Sequence, residues 1–167
     1  MCRNYVKNLG EIVKIYAYTD GAARGNPGES ASGYHLLDGS HKLLVRHAFY
    51  NGICTNNVAE YRAVVAALKK TLELFGAETD VVVVSDSNLV INQLSGKYKV
   101  KSENLKALNN EGRDLLSRFK SHRLLNVRRE NEHVARVDGE LNGLLDRKEG
   151  GSASLPVSRQ KNLKTNE

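Results

Sequence analysis

The sequence has few of the residues that mark disulfide-rich, zinc-binding or membrane proteins. Its 167 residues include two cysteines, Cys2 and Cys54, which form no CxxC pair and no Cys/His cluster. This arrangement predicts neither a disulfide framework nor a zinc site. No apolar run approaches the ~20 residues that span a bilayer, and the first residues (MCRNYVKNLGE) contain no apolar signal-peptide core. We therefore expect a cytoplasmic protein with no membrane partner.

The signatures of glycine-rich nucleotide-binding loops are also missing. Residues 19–28, TDGAARGNPG, follow an apolar strand-like run but contain neither GxGxxG nor GK[ST]. They lead into a second strand pattern, whereas a phosphate-binding loop leads into a helix whose N-terminus holds the anion. This argues against a nucleotide-binding domain and leaves the acidic Asp20, at the start of the glycine-rich segment, to be explained.

Positive charge is in excess, because 25 Lys and Arg residues against 19 Asp and Glu residues give a formal net charge of +6. Basic domains commonly bind polyanions, since Lys and Arg contacts to phosphates supply affinity that does not depend on sequence. A solvated basic surface kept for solubility is the alternative, and part of the excess lies in the last residues of the chain.

The order of the apolar patterns predicts a three-layer α/β domain. Alternation at 11–19, 32–37 and 42–50, with a turn at Asp38-Gly39, predicts three antiparallel strands. A helical stripe at 57–75 precedes DVVVVS (80–85), an apolar run typical of a strand buried on both faces. Helices at 88–94 and 105–119, a short strand at 124–127 and a helix at 132–146 complete the prediction, with right-handed strand–helix–strand crossovers.

Four carboxylates fall where a folded core is expected. Two of them end predicted strands and two lie near the apolar faces of predicted helices: Asp20, Asp86, Glu60 and Asp138. Taken singly, each could be a cap or an exposed residue. If strands one and four are neighbours, however, the two aspartates lie side by side with the first helix above them. Buried carboxylates are costly unless they are paired or bind a cation.

An all-oxygen cluster without a built-in Lys or Arg selects Mg²⁺ or Mn²⁺. Two such ions can activate a water and stabilise the leaving oxygen in a phosphodiester displacement. A basic protein with an acidic, cation-holding site is therefore interpreted as a nuclease.

Four blocks of the sequence resemble ribonuclease H, type 1: TDGAARGNPG (19–28), TNNVAEYRAV (55–64), VVVSDSNLVINQLSGKYKV (82–100) and RVDGELN (136–142). The four blocks follow the family's order, and each contains its acidic residue. The likeness runs from about residue 12 to 147. The resemblance implies a ribonuclease H-like fold, a five-stranded mixed sheet flanked by helices, with the first three strands antiparallel and the third on one edge. We accordingly divide the chain into an N-terminal arm (1–10), a catalytic domain (11–148) and a disordered C-terminal tail (149–167).

The resemblance also implies a function, which is Mg²⁺-dependent hydrolysis of the RNA strand of RNA–DNA hybrids. Two ions are expected with substrate, Mn²⁺ is an alternative, and the products carry 5′-phosphate and 3′-hydroxyl ends. A monomer is expected. A catalytically silent duplex-binding module of the same fold is the alternative, although a pure phosphate binder has no use for four negative charges in its groove.

By matched position, the resemblance assigns a role to each of ten residues. The metal-binding carboxylates are Asp20, Glu60, Asp86 and Asp138. The polar contacts to the minor groove of the hybrid are Asn26, Asn56, Asn57 and Asn88. The groups that bind phosphates of the DNA strand are Thr55 and Ser87.

Two departures from the family pattern stand out. The basic protrusion that some members carry is absent, because residues 97–102 (KYKVKS) lead directly into the next helix. The histidine that many members carry on a mobile loop is matched poorly by His133, which lies only five residues before Asp138. His133 could replace it, as could Arg128 or Arg129, or it is an exposed residue at a helix start, so it is left out of the catalytic set.

Overall fold

The computed structural model describes residues 13–152, so the predicted arm and the tail beyond Ser152 lie outside the described residues. Every strand and helix predicted from the sequence is present. In chain order the elements are β1 (Val13–Gly25), β2 (Gly28–Asp38), β3 (Leu43–Cys54), α1 (Asn56–Phe75), β4 (Thr79–Ser85), α2 (Asn88–Leu94), α3 (Glu103–Ser117), β5 (Ser121–Asn126) and α4 (Glu132–Ser152).

The five strands form one mixed sheet in the order β3-β2-β1-β4-β5. The first three strands are antiparallel, while β4 pairs in parallel with both β1 and β5. The predicted mixed sheet, with its first three strands antiparallel and the third on one edge, is therefore confirmed. Strands one and four are neighbours, which meets the condition for Asp20 and Asp86 to lie side by side. Residues 95–102 join α2 to α3 without a further helix, in agreement with the missing protrusion.

The run of four valines in β4 explains how the sheet buries both of its faces. Val81 and Val83 pack on the side of α1, α2 and α3, while Val82 and Val84 pack on the side of α4. Gly33 in β2 lets α4 lie close to the sheet, because a Cβ at this position would be 2.8 Å from Leu141 Cδ2. Among residues 13–152, no helix is long and apolar enough to cross a bilayer.

The glycine-rich segment is the main departure from the predicted boundaries. Strand β1 does not end before Asp20 but continues to Gly25, and β2 begins at Gly28, because residues 20–25 pair with 28–33. The turn is only Asn26-Pro27, next to Gly25 at φ 107°. Asp20 therefore lies within a strand and not at its end.

Smaller differences occur later in the chain. Strand β5 begins at Ser121, three residues before the predicted start, because it pairs with β4 from Asp80 onward. Helix α4 continues to Ser152, so residues 149–152, which were assigned to the tail, have helical backbone.

Candidate active site

The relative lengths of β1 and β4 bring two of the carboxylates together. The last parallel pair between these strands is Thr19 with Ser85. The next residue on each strand is an aspartate, Asp20 on β1 and Asp86 just past the end of β4. Because β1 continues with β2 as its partner while β4 stops, both side chains reach the space beyond the end of β4.

Helix α1 brings Glu60 to the same place through an unusually close approach to β1. A Cβ at Gly21 would lie 2.3 Å from the backbone nitrogen of Glu60, so only glycine allows this contact. Thr55 caps the helix by accepting a hydrogen bond from Val58 N at 3.3 Å. Ser32 on β2 donates to the carbonyl of Ala59 at 2.6 Å and so holds the first turn against the sheet.

The three carboxylates form a tight and buried cluster. Ligand oxygens of Asp20, Glu60 and Asp86 all lie within 4.8 Å of one another. Asp20 and Glu60 are each only 5% exposed. Asp20 Oδ1 accepts a hydrogen bond from Gly21 N at 2.9 Å, whereas Glu60 Oε2 is buried and finds no hydrogen-bond partner among residues 13–152.

Burial and mutual repulsion disfavour the charged forms of these groups. Burial raises the pKa of Asp20 to about 8, and the charges of Asp86 and Asp138 add to the effect. Burial, followed by the charges of Asp20 and Asp86, raises the pKa of Glu60 well above its ordinary value. The pKa of Asp86 is also raised by burial, while Arg129 opposes the change.

This set of donors fits a hard divalent cation. All of its ligand atoms are carboxylate oxygens, which Mg²⁺ and Mn²⁺ prefer. The oxygen of Glu60 that lacks a partner is one that a cation would satisfy. A bound cation would also offset the burial and the mutual repulsion that raise the pKa values, because it stabilises the charged form of each carboxylate.

Asp138 reaches the cluster from the opposite side of the sheet. It lies on α4, where its carboxylate raises the pKa of Asp20 and its Oδ1 is 3.7 Å from the guanidinium of Arg129. The four carboxylates line one cleft of about 260 Å³ together with Arg24, Asn56, Arg129 and Asn142. Asp138 thus borders the three-carboxylate cluster without being part of it.

Comparison with known proteins agrees with this fold. A family model described as reverse transcriptase-like matches residues 18–137. The crystal structure of RNase H1 from Halobacterium salinarum is 34% identical and gives a TM-score of 0.75, covering 80% of this chain and 98% of that chain. The chain belongs to the ribonuclease H type 1 family.

Two further ribonuclease H structures are similar. The N-terminal RNase H domain of Rv2228c from Mycobacterium tuberculosis is 32% identical with a TM-score of 0.78, over 84% of this chain and 99% of that chain. LC11-RNase H1, solved in complex with an RNA/DNA hybrid, is 35% identical with a TM-score of 0.74, over 80% and 98%. As full-length proteins the relatives are longer. The chain covers 65% of ribonuclease HI from Halobacterium salinarum, at 35% identity, and 29% of Rv2228c, at 38% identity.

The polar residues that the ribonuclease H resemblance assigns to substrate lie around the ends of α1 and α2. Asn26, in the β1–β2 turn, accepts a hydrogen bond from Asn56 N at 3.1 Å and so joins this turn to the start of α1. Asn56 and Asn57 are exposed, and Asn56 lines the cleft. Thr55 is already the cap of α1.

The second group lies at α2. Ser87 caps this helix by accepting from Val90 N at 3.4 Å. The exposed Asn88 accepts a side-chain hydrogen bond from Asn92 at 2.7 Å. Their predicted contacts to substrate stay predictions, since each also has a local structural role.

Sequence reasoning did not select Arg24 and Asn142, although both line the cleft. Each lies inside a ribonuclease H block, and Asn142 follows Asp138 by one helical turn and donates to its carbonyl at 3.0 Å. A search one turn along α4 from the predicted ligand would have found it.

His133 lies apart from the cleft. Its ring packs 4.5 Å from that of Tyr18, and it lines a different cavity with His35 and His41. His133 does not line the catalytic cleft, whereas Arg129, one of its possible replacements, does.

Proposed function

We propose that this chain is a metal-dependent endoribonuclease that hydrolyses the RNA strand of RNA–DNA hybrids by a two-metal-ion mechanism. Water adds to the scissile phosphorus and the bond to the 3′ oxygen breaks, which leaves 5′-phosphate and 3′-hydroxyl ends. The observation that carries the proposal is the buried cluster of Asp20, Glu60 and Asp86, with its raised pKa values and its unpartnered oxygen. Membership of the ribonuclease H family and the hybrid complex of a relative support it.

We infer that the ions are Mg²⁺, with Mn²⁺ as a substitute, and that four carboxylates hold them. Asp20, Glu60 and Asp86 would form the main site, and Asp138 would complete the second. Bound there, such ions supply a nucleophile at neutral pH and stabilise charge on the leaving oxygen. The protein's own contribution is to hold these carboxylates rigidly on two strands and two helices.

The polar residues around the cleft suit a duplex that is recognised by shape. An RNA–DNA hybrid presents 2′-hydroxyls and base edges across a wide, shallow minor groove, which short amide and hydroxyl side chains can reach. We propose that four asparagines make these contacts and that two hydroxyl residues bind DNA-strand phosphates: Asn26, Asn56, Asn57 and Asn88, with Thr55 and Ser87. The hydrogen bond between Asn26 and Asn56 N holds part of this surface in place before substrate arrives.

Asp86→Asn tests the proposal, because it removes one charge at the end of β4 and keeps the side chain's shape. We expect cleavage of a hybrid in Mg²⁺ to fall by at least about 100-fold, the scale on which single charge-stabilising groups act. Asp80→Asn is the matched control, since Asp80 lies at the other end of the same strand and accepts a hydrogen bond from Ser121. Circular dichroism verifies that both variants are folded.

The assay uses four duplexes on one gel, each with Mg²⁺ or Mn²⁺: hybrid, double-stranded RNA, double-stranded DNA and a DNA duplex with a single ribonucleotide. Cleavage of the hybrid by wild type and by Asp80→Asn, with none by Asp86→Asn, supports the assignment. Wild-type activity in Asp86→Asn would contradict it. Hybrid binding by the wild type without cleavage in either ion would identify a silent binding module instead.

A further inference from the structure

A second groove lies between α4 and β3 and shares no lining residue with the catalytic cleft. It consists of two adjoining cavities of about 470 and 410 Å³, which share Arg46, Gly139 and Glu140. We call it the α4–β3 groove. His41 and His133 line one end of it, while the other end is lined by residues that include Arg147.

One stripe of α4 forms a wall of this groove. Its members recur at helical spacing along one face: His133, Arg136, Glu140, Gly143 and Arg147. The stripe is about 21 Å long at 1.5 Å per residue. The facing wall comes from the sheet, where Arg46 on β3 pairs in register with His35 on β2. The groove is therefore elongated, which suits a linear ligand.

Small residues keep the groove open. Ala48 lies on its β3 side, and Gly139 and Gly143 lie one turn apart on α4. A Cβ at Gly139 would have no heavy atom within 4 Å, while one at Gly143 would lie 3.5 Å from the guanidinium of Arg147. A ligand could thus approach the backbone of α4 between the arginines.

The charges of the groove favour an anion. Three arginines line it against one carboxylate, Glu140, which is 3.7 Å from the guanidinium of Arg46. Arg136 pairs with Glu132 on its own helix, whereas Arg147 makes no ion pair with any residue of the described range 13–152. The side chain of Arg46 is 69% exposed, so it is free to turn toward a ligand.

Aromatic rings stand at the end of the groove near the start of α4. His41 and His133 are nearly parallel, with centroids 6.1 Å apart and an interplanar angle of 13°. Each also packs on a tyrosine of β1 at 4.5 Å, His41 on Tyr16 and His133 on Tyr18. Burial and the nearby Arg136 lower the pKa of His133, which favours the uncharged ring. Aromatic rings beside arginines are the pattern on which single-stranded bases stack.

A buried polar atom at the base of the groove lacks a partner. His35 is 4% exposed, and its Nε2 makes no hydrogen bond within the part of the chain that the structure describes. It lies 3.1 Å from Glu140 Oε1, but not in hydrogen-bonding geometry. An unsatisfied buried nitrogen of this kind is expected to find a partner when the groove is filled.

We propose that the α4–β3 groove binds a single strand of nucleic acid, with its phosphates at Arg46 and Arg147 and a base against the rings of His41 and His133. This site is separate from the catalytic cleft, so one molecule can hold a hybrid and a single strand at once. A single-stranded extension of a hybrid is one source of such a strand, and a free oligonucleotide is the other.

Binding of a fluorescent single-stranded DNA of about ten nucleotides, followed by anisotropy in EDTA at low salt, tests the site without any cleavage. In the double variant Arg46→Ala/Arg147→Ala we expect affinity to fall about tenfold and the salt slope to fall by about 1.4, the value for two lost phosphate contacts. The matched control is Arg113→Ala/Arg118→Ala, at α3 and the residue that follows it, which removes the same charge elsewhere. His41→Ala should weaken binding by about fivefold or more through lost stacking.

Competition separates this site from the cleft. A saturating blunt-ended hybrid should leave the single strand bound to wild type, and inorganic phosphate at a matched phosphate concentration should not displace it. Displacement by either competitor, or equal loss of affinity in the two double variants, would overturn the proposal. The binding assay contains no divalent metal and no cleavage step, so a failure of the nuclease assignment would leave this result unaffected.

Discussion

Asp20→Asn should stabilise the protein when divalent cations are absent, since asparagine keeps the Oδ1 that accepts from Gly21 N but carries no ionisable group. Burial, with the charges of Asp86 and Asp138, raises the pKa of Asp20 from 3.8 to about 8. In the unfolded chain this carboxyl ionises near its ordinary pKa, whereas the folded protein retains the proton until about pH 8. The contribution of Asp20 to the free energy of unfolding is therefore fully retained below the unfolded pKa of 3.8. It is lost as the pH rises toward the folded pKa of about 8.

The size of the effect follows from the width of this pH window. Each pH unit inside it removes about 1.4 kcal/mol from the free energy of unfolding, so near pH 7 the carboxyl of Asp20 costs about 4 kcal/mol. Asparagine has no charge to bury, and the variant should recover most of this. At ~3 °C per kcal/mol for a domain of this size, its melting temperature should rise by roughly 10 °C.

Urea unfolding in EDTA at about pH 5 and about pH 7.5 measures the difference. The gain should be larger by about 3 kcal/mol at the higher pH. Asp114→Asn, an exposed carboxylate on α3, is the control and should change little at either pH. Mg²⁺ should stabilise wild type more than the Asn variant. A gain that is equal at both pH values, or a loss of stability at the higher one, would refute the interpretation of Asp20 as a group strained by the absence of a cation.

Two other substitutions test how the fold positions the site. Gly21→Ala places a methyl group 2.3 Å from Glu60 N, so it should displace α1. We expect it to cost about 1–3 kcal/mol in urea unfolding and to reduce hybrid cleavage. Gly139→Ala is the control, because a Cβ there meets no heavy atom within 4 Å, and it should change neither stability nor cleavage. Tyr61→Phe removes a buried hydroxyl that bonds two buried amides at 2.8 and 3.0 Å, and should cost about 1–3 kcal/mol in the same assay. Equal stability of Tyr61→Phe and the exposed-site control Tyr98→Phe would contradict this.

The spacing of apolar residues alone predicts most of the helices and strands, because burial of one face of an element sets that spacing within the element itself. Four consecutive valines indicated a strand covered on both faces, and Val81 to Val84 alternate between two cores as expected. The pattern could not give the order of the strands in the sheet, since pairing depends on contacts between distant residues. The family resemblance supplied only the antiparallel first three strands and the edge position of the third. The pairing of β1 with β4, which brings Asp20 and Asp86 together, comes from the structure.

The glycine-rich segment shows why boundary predictions failed at the site. Gly, Asn and Pro are turn residues, so the local sequence predicts a loop at residues 20–28 after the strand. Instead, Gly21 lies within β1 at the point where α1 touches it. Glycine inside a strand often marks the close approach of another backbone. The residues around Gly21 do not show which helix packs against it, because that contact depends on tertiary structure.

The α4–β3 groove could not be predicted for a similar reason. On α4 alone, Arg136, Glu140 and Arg147 resemble an ordinary solvated helix face. Only the packing of α4 across Gly33 places this face opposite Arg46 on β3. Its aromatic end likewise depends on the β2–β3 turn, where His41 has φ 62°. A surface made by three separated segments has no signature in any one of them.

The energetics of the cleft argue that its carboxylates are kept for a ligand and not for the fold. Their raised pKa values mean that ionised Asp20 and Glu60 weaken the folded state when alone. Yet the surrounding structure holds them firmly, since Gly21 admits α1, Ser32 ties down its first turn and Thr55 caps it. A rigid frame around groups that repel one another is stable only because other parts of the domain supply the free energy. A divalent cation reverses the sign of this contribution, so the same residues that destabilise the protein without metal should stabilise it with metal.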